Sequence, residues 1–219
     1  MSKKNDNTLH NKIMQVFLKT ALGVHLQYDK GALYKYAEIP AIKKILVQLT
    51  DMDMKDAATV IQLVRNYVYS SCEKDSKKID YPDTPAEIGK ILTAIFQHYD
   101  GSVKTPIALP PVAMVCAMAA ILHSFGIKSR PVSVYSITRD STLQNHVLCE
   151  VFNQESCRWE LHDPNFDVAY AVQTENSKPI SSLDFFYAVN DHICHIHDDL
   201  LSKKSLLNIT NFQNIVCID

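Results

Sequence analysis

Residues 112–125 read VAMVCAMAAILHSF, and Gly126 closes them. The run is rich in alanine and leucine-type helix formers, has no internal glycine or proline, and is too long for an ordinary strand, so it predicts a buried helix. The period then changes. RPVSVYSI at 130–137, HVLCEVF at 146–152 and CRWELHD at 157–163 alternate apolar and polar residues between turn-like segments, which predicts three strands of an antiparallel sheet. Upstream, apolar positions fall at helical spacing from Asn11 to Leu22 with Gly23 as the stop, from Pro40 to Leu49, and from Asp56 to Ser71. A fourth helix opens on Thr84, Pro85 and Glu87, an N-cap, an N1 proline and a capping-box acid, and aligns Ile88, Ile91, Leu92, Ile95 and Tyr99 on one face. Helices followed by a sheet predict an α+β fold. The expected organisation is a disordered lead over 1–8 and one domain over 9–219, mainly helical over 9–125, with a sheet lobe and mixed tail over 126–219.

The protein has 219 residues, a net charge of -2, 47% hydrophobic and 21% charged residues. That length can bury roughly 70% of the unfolded surface, so no disulfide staples are needed. A pI near 6.5 lacks the clustered cationic charge that nucleic-acid binding requires, so DNA and RNA are not expected partners. No apolar run approaches eighteen residues, and MSKKNDNTLHNK has no apolar h-region; neither a membrane partner nor a cleaved secretory signal is expected. A cytoplasmic location follows, and export without a cleaved signal peptide is compatible with it. Six widely spaced cysteines with no CxxC pair read as reduced, mostly buried thiols.

One cysteine and one histidine stand where chemistry could occur. Cys116 lies in the first turn or two of the predicted buried helix, just after Pro110-Pro111, where the helix dipole biases a thiol toward thiolate. Taken alone, it reads more simply as a small core residue among Ala113, Ala117 and Ala120. A hairpin closed by Asn153 to Ser156 sets His146 opposite Asp163, close enough for the carboxylate to fix the imidazole tautomer. A slip of one residue would put His162 there instead. A thiol at a helix start with an oriented histidine is the arrangement that nucleophilic thiol catalysis needs.

These stretches resemble the core of the transglutaminase-like superfamily, which shares the papain-related fold. The resemblance rests on Cys116, Gly126-Ile127, Arg130, Val132, His146, Trp159 and Asp163-Pro164. Two positions depart from the family pattern: Met114 stands where a glycine is common and Leu148 where an aromatic is common. The resemblance implies that Cys116 attacks an amide carbon, that His146 shuttles the proton and that Asp163 orients the imidazole. The thioester would pass to water or an amine, with hydrolysis of a peptide or side-chain amide favoured over cross-linking. The Cys116 backbone N–H would supply one oxyanion donor, with Gln97, Tyr99 and Asn145 as candidates for another. Trp159 and Leu148 are candidates for the groove wall, and Arg130 for an anchor after the helix. No cofactor is implied, and the partner would be a peptide or protein substrate. A catalytically silent domain that uses the groove to bind a peptide or protein is the alternative.

Two further clusters carry less. DHICHIHDD at 191–199 gathers His192, Cys194, His195 and His197, but without the spacing of a metal motif, so a polar surface segment is expected there and no metal. Asp51, Asp53 and Asp56 lack the glycine and terminal glutamate of a calcium loop and are expected to cap the helix that follows. Tyr34, Tyr36, Tyr67, Tyr69 and Tyr81 read as amphipathic packing residues.

Overall fold

The computed structural model describes residues 21–28, 40–50, 56–75, 82, 85–138, 143–172, 178–185 and 215–218. In sequence order these form β1 (Ala21–Tyr28), α1 (Pro40–Thr50), α2 (Ala57–Ser71), β2 (Cys72–Lys74), α3 (Pro85–Tyr99), β3 (Ile107–Leu109) and α4 (Pro111–Ser124). They continue as β4 (Ser129–Thr138), β5 (Leu143–Asn153), β6 (Arg158–Asp163), β7 (Val168–Val172) and β8 (Ile215–Ile218). The molecule mixes helix and sheet, as the change of period predicts.

Six strands make one antiparallel sheet in the order β1-β4-β5-β6-β7-β8, while β2 and β3 pair in parallel beside it. Every residue of α4 from Val112 to Leu122 is buried, because the helix lies between α1, α2 and α3 on one side and the sheet on the other. Its alanines allow close approach. Gly126, at φ +75, ends it: Ile127 N–H donates to the Leu122 carbonyl and Gly126 N–H to that of His123, a Schellman closure that glycine permits at little cost. The tight turn sends β4 back antiparallel to α4, so β5 runs in the direction of the helix.

Alternation decides what each face of β5 does. Val147, Cys149 and Val151 join the core beneath α4. His146, Leu148 and Glu150 therefore face the other way. There Val132 and Val134 are buried alongside Leu148, and the Tyr170 and Phe185 rings pack edge-on at 5.3 Å. Glu150 is held on that side by Arg130 at 2.6 Å and by the Ser182 backbone N–H and hydroxyl at 2.9 and 2.6 Å.

Several details depart from expectation. The helix expected from Asn11 to Leu22 falls outside the described residues up to position 20; Ala21 to Tyr28, including Leu22 and Gly23, form β1 on the sheet edge. The alternation of Val24, Leu26 and Tyr28 with His25 and Gln27 is the signal for it. Strands β2, β3, β7 and β8 are too short or too irregular in pattern to be read from period alone. The lead at 1–8, Asp51, Asp53, Thr84, Tyr34, Tyr36, Tyr81 and the 191–199 cluster lie outside the described residues. No helix among those described is long and apolar enough to cross a membrane.

Candidate functional site

The hairpin register differs from the expected one by two. Phe152 faces Trp159 and Asn153 faces Arg158, because the Asn153 side-chain oxygen accepts from the Glu155 and Ser156 backbone N–H groups at 3.0 and 3.3 Å, closing the turn after Asn153. Cys157 completes it at φ +52. An even shift keeps every residue on its face. Asp163 is therefore diagonal to His146 rather than directly opposite, and it still reaches it.

His146 Nε2 lies 2.6 Å from Asp163 Oδ2. A carboxylate only accepts, so Nε2 carries the proton and Nδ1 is the nitrogen left for a ligand, water or thiol. Asp163 has no exposed surface, and it is held by more than the imidazole: the Asn165 backbone N–H and Nδ2 each donate to Oδ1 at 2.9 Å, and the Tyr170 hydroxyl stands 3.4 Å from Oδ2. The His146 side chain remains 20% exposed. Its ring centre is 6.1 Å from that of Phe166 in the β6–β7 turn, and Lys74 Nζ lies 4.4 Å over the same Phe166 ring. Neither Phe166 nor Lys74 carries a sequence signal of its own; their meeting depends on how β2 is carried past the turn.

Cys116 does not join this pair. It is the sixth residue of α4, only 1% exposed. Its neighbour is Cys149, whose thiol is pushed well above its ordinary value by burial first, then by Cys116 and Glu150. Cys149 and His146 are on opposite faces of β5. Three strand residues separate them, about 10 Å, which corresponds to about six or seven residues of helix at 1.5 Å each. The part of α4 level with His146 is therefore Pro110-Pro111, not Cys116. The expected dipole activation also fails, since that field falls off within the first turn. The Cys116 N–H lies beyond the four free donors of the helix start, and Pro110 and Pro111 remove donors where an oxyanion would need them.

The other predicted positions scatter. Gln97 is exposed in a shallow groove between α1 and α3 with Pro40, Ala41 and Thr93. Tyr99 packs its ring 4.3 Å from that of Tyr67. Asn145 is next to His146 on β5, paired with Tyr135. Trp159 sits four residues down β6 from Asp163, about 13 Å away, against Phe152 and under Arg130; it is not in a wall beside His146. Leu148 is beside His146 on the same face but is buried at 1%. Arg130 is an anchor, joined to Glu150. Asp56 caps α2 by accepting from Thr59 N–H at 2.6 Å. Among the described residues no group of His, Cys, Asp or Glu could hold a metal ion.

A second polar cluster lies under the sheet. Arg65 of α2, 2% exposed, bonds Asp167 Oδ1 at 3.0 Å, and its guanidinium donates to His162 Nδ1 at 3.2 Å. Asn66 donates to Asp167 Oδ2 at 2.7 Å. His162 Nε2 is 3.4 Å from Glu160 Oε2, too poorly aligned for a hydrogen bond. Burial, the largest influence, and Arg65 hold the His162 pKa below the ordinary imidazole value against Glu160.

Comparison with protein-family models, with curated proteins and with solved structures finds no match for this protein.

Proposed function

We propose that this protein is a transglutaminase-like domain of papain-related architecture that keeps the histidine–carboxylate pair without the thiol, and that it holds a peptide or protein segment over that pair without cleaving it. The observation that carries this reading is the placement of Cys116, buried beside Cys149 in the second turn of α4 while His146 opens on the far face of β5. Three further features support it. The order of helix, Gly126 turn, Arg130 strand, His146 strand and Asp163-Pro164 follows the superfamily pattern. The imidazole has a fixed tautomer with Nδ1 turned to a ligand, which suits acceptance of a peptide N–H. The Phe166 ring stands next to it, with the two ring centres 6.1 Å apart.

The thiol hydrolase or acyltransferase reading has the 2.6 Å His146–Asp163 bond in its favour, since an oriented imidazole is what a general base requires. It needs a nucleophile other than Cys116.

Iodoacetamide labelling separates the two, read by peptide mass at pH 6 and pH 8 and paired with ammonia release from a glutamine-containing dipeptide. The expected result is rapid modification of exposed Cys157 at pH 8 and slow modification of Cys72, whose thiol burial pushes up to about 12. Cys116 and Cys149 stay unlabelled until the protein is unfolded, and no ammonia is released. Fast labelling of Cys116 at pH 6 that disappears in His146→Ala, or His146-dependent ammonia release, would overturn the proposal.

A further inference from the structure

Near the His146 site stands a lysine that forms no ion pair with any described residue. Lys74 Nζ stands 4.4 Å over the Phe166 ring. Among the described residues no carboxylate comes within 4 Å of it. Asp163, the acid whose field it feels, is already met by His146, Asn165 and Tyr170. The residue is exposed, yet its ammonium is partly desolvated: burial lowers its pKa, the larger influence, and Asp163 opposes that. A cation held against an aromatic face and short of counter-charge is a receptor for an anion.

We propose that the segment held over His146 carries a carboxylate, from an acidic residue or a free peptide C-terminus, and that Lys74 receives it. The inference rests on the peptide-holding reading above and specifies the ligand. Two contacts then follow: a backbone N–H meets His146 Nδ1, and the carboxylate meets Lys74. The His146 ring centre is 6.1 Å from that of Phe166, and Lys74 Nζ is 4.4 Å from the Phe166 centre, so the two polar contacts are no farther apart than those distances laid end to end. An extended peptide rises about 3.3 Å per residue, so the carboxylate belongs within about three residues of the group that meets His146.

The test uses the full-length protein and acetylated pentapeptides randomised over uncharged residues. They are prepared with a free C-terminus, as C-terminal amides, and as amides with one glutamate. Binding is followed by NMR of the His146 ring nitrogens. The expected result is that peptides bearing a carboxylate shift these signals and bind about tenfold more tightly than the neutral amides. Lys74→Met removes the difference and Lys74→Arg keeps it. The free-acid and glutamate series tell a C-terminus from an acidic residue. Peptides that shift the His146 signals without any carboxylate preference, or a preference that survives Lys74→Met, overturn the role of Lys74 and leave the peptide reading standing. Peptides of every series leaving the His146 signals unmoved would overturn both. Lys74 is exposed, so loss of binding in Lys74→Met with an unchanged unfolding midpoint reports on the ligand and not on the fold.

Discussion

His146 and His162 belong to the same hairpin, each with an acidic neighbour, and the sheet sends them to opposite environments. His146 faces outward, bonded to Asp163 at 2.6 Å, and its carboxylate is steadied by Asn165 and Tyr170 while one ring nitrogen stays open. His162 faces the helices, wedged between Arg65 at 3.2 Å and Glu160 at 3.4 Å, with almost no exposed surface. The residue types are nearly the same. What differs is whether water can reach the ring, and that makes the outer pair a candidate site and the inner cluster a structural joint between α2 and the sheet. A histidine beside a carboxylate is therefore no guide to function until its face is known.

The strongest challenge to the contrast is Arg65→Met. It leaves the Asp167 carboxylate and His162 Nδ1 without their guanidinium, and breaking a buried pair from one side costs about 3–5 kcal/mol. Urea unfolding should show that loss, and a cost below about 1 kcal/mol would mean the cluster is solvated after all. On the outer face, Asp163→Asn is expected to cost less, about 2 kcal/mol, the worth of hydrogen bonds to one charged group. The same variant should randomise the His146 tautomer seen in nitrogen NMR, and a tautomer that stays fixed would show that something other than Asp163 orients the ring.

Acid should destabilise the fold through the inner histidine. The folded pKa of His162 is lowered below its ordinary 6.5, so the unfolded state takes up the proton first. The contribution of His162 to stability is then full above about 6.5 and is lost as pH falls below it. A urea midpoint followed from pH 7.5 to pH 5 should fall more steeply in the native protein than in His162→Gln; equal slopes would remove His162 as the cause. The smallest effect belongs to His146→Ala. Its ring is partly exposed and Asp163 retains its Asn165 and Tyr170 partners, so stability should change by no more than about 1 kcal/mol, as calorimetry would check. A larger loss would make the outer pair a structural joint as well.

Much of this frame is legible in the residues. The stripes in α1, α2 and α3 and the all-round apolar run of α4 match buried positions, because a one-sided stripe fits the outside of a core and a continuous apolar surface fits only its interior. The closing role of Gly126 follows in the same way, since a positive φ suits glycine. The register is harder to read. Whether the turn opens before or after Asn153 depends on that residue bonding Glu155 and Ser156, and a four-residue loop fits either choice. The parity of the strands survives the shift, which is why the pattern puts Asp163 on the correct face though not at the correct rung.

Cys116 is the hardest position to read, and distance along two different elements explains it. In sequence it follows Pro110-Pro111 closely enough to look like a residue at the helix start; in the fold, five helical residues are about 7.5 Å of depth, which carries the sulphur into the core. Local pattern alone suffices for the principal helices and central strands, their order, the even parity that sets His146 and Asp163 on one side, and the apolar identity of α4, because these depend on period and backbone chemistry. It takes the packed molecule to bring α4 against Cys149 rather than His146, to lock His162 with Arg65, and to lay Lys74 over Phe166. Those contacts depend on which face of the sheet the helices cover and how far each residue lies along its own axis, and a linear pattern carries neither distance.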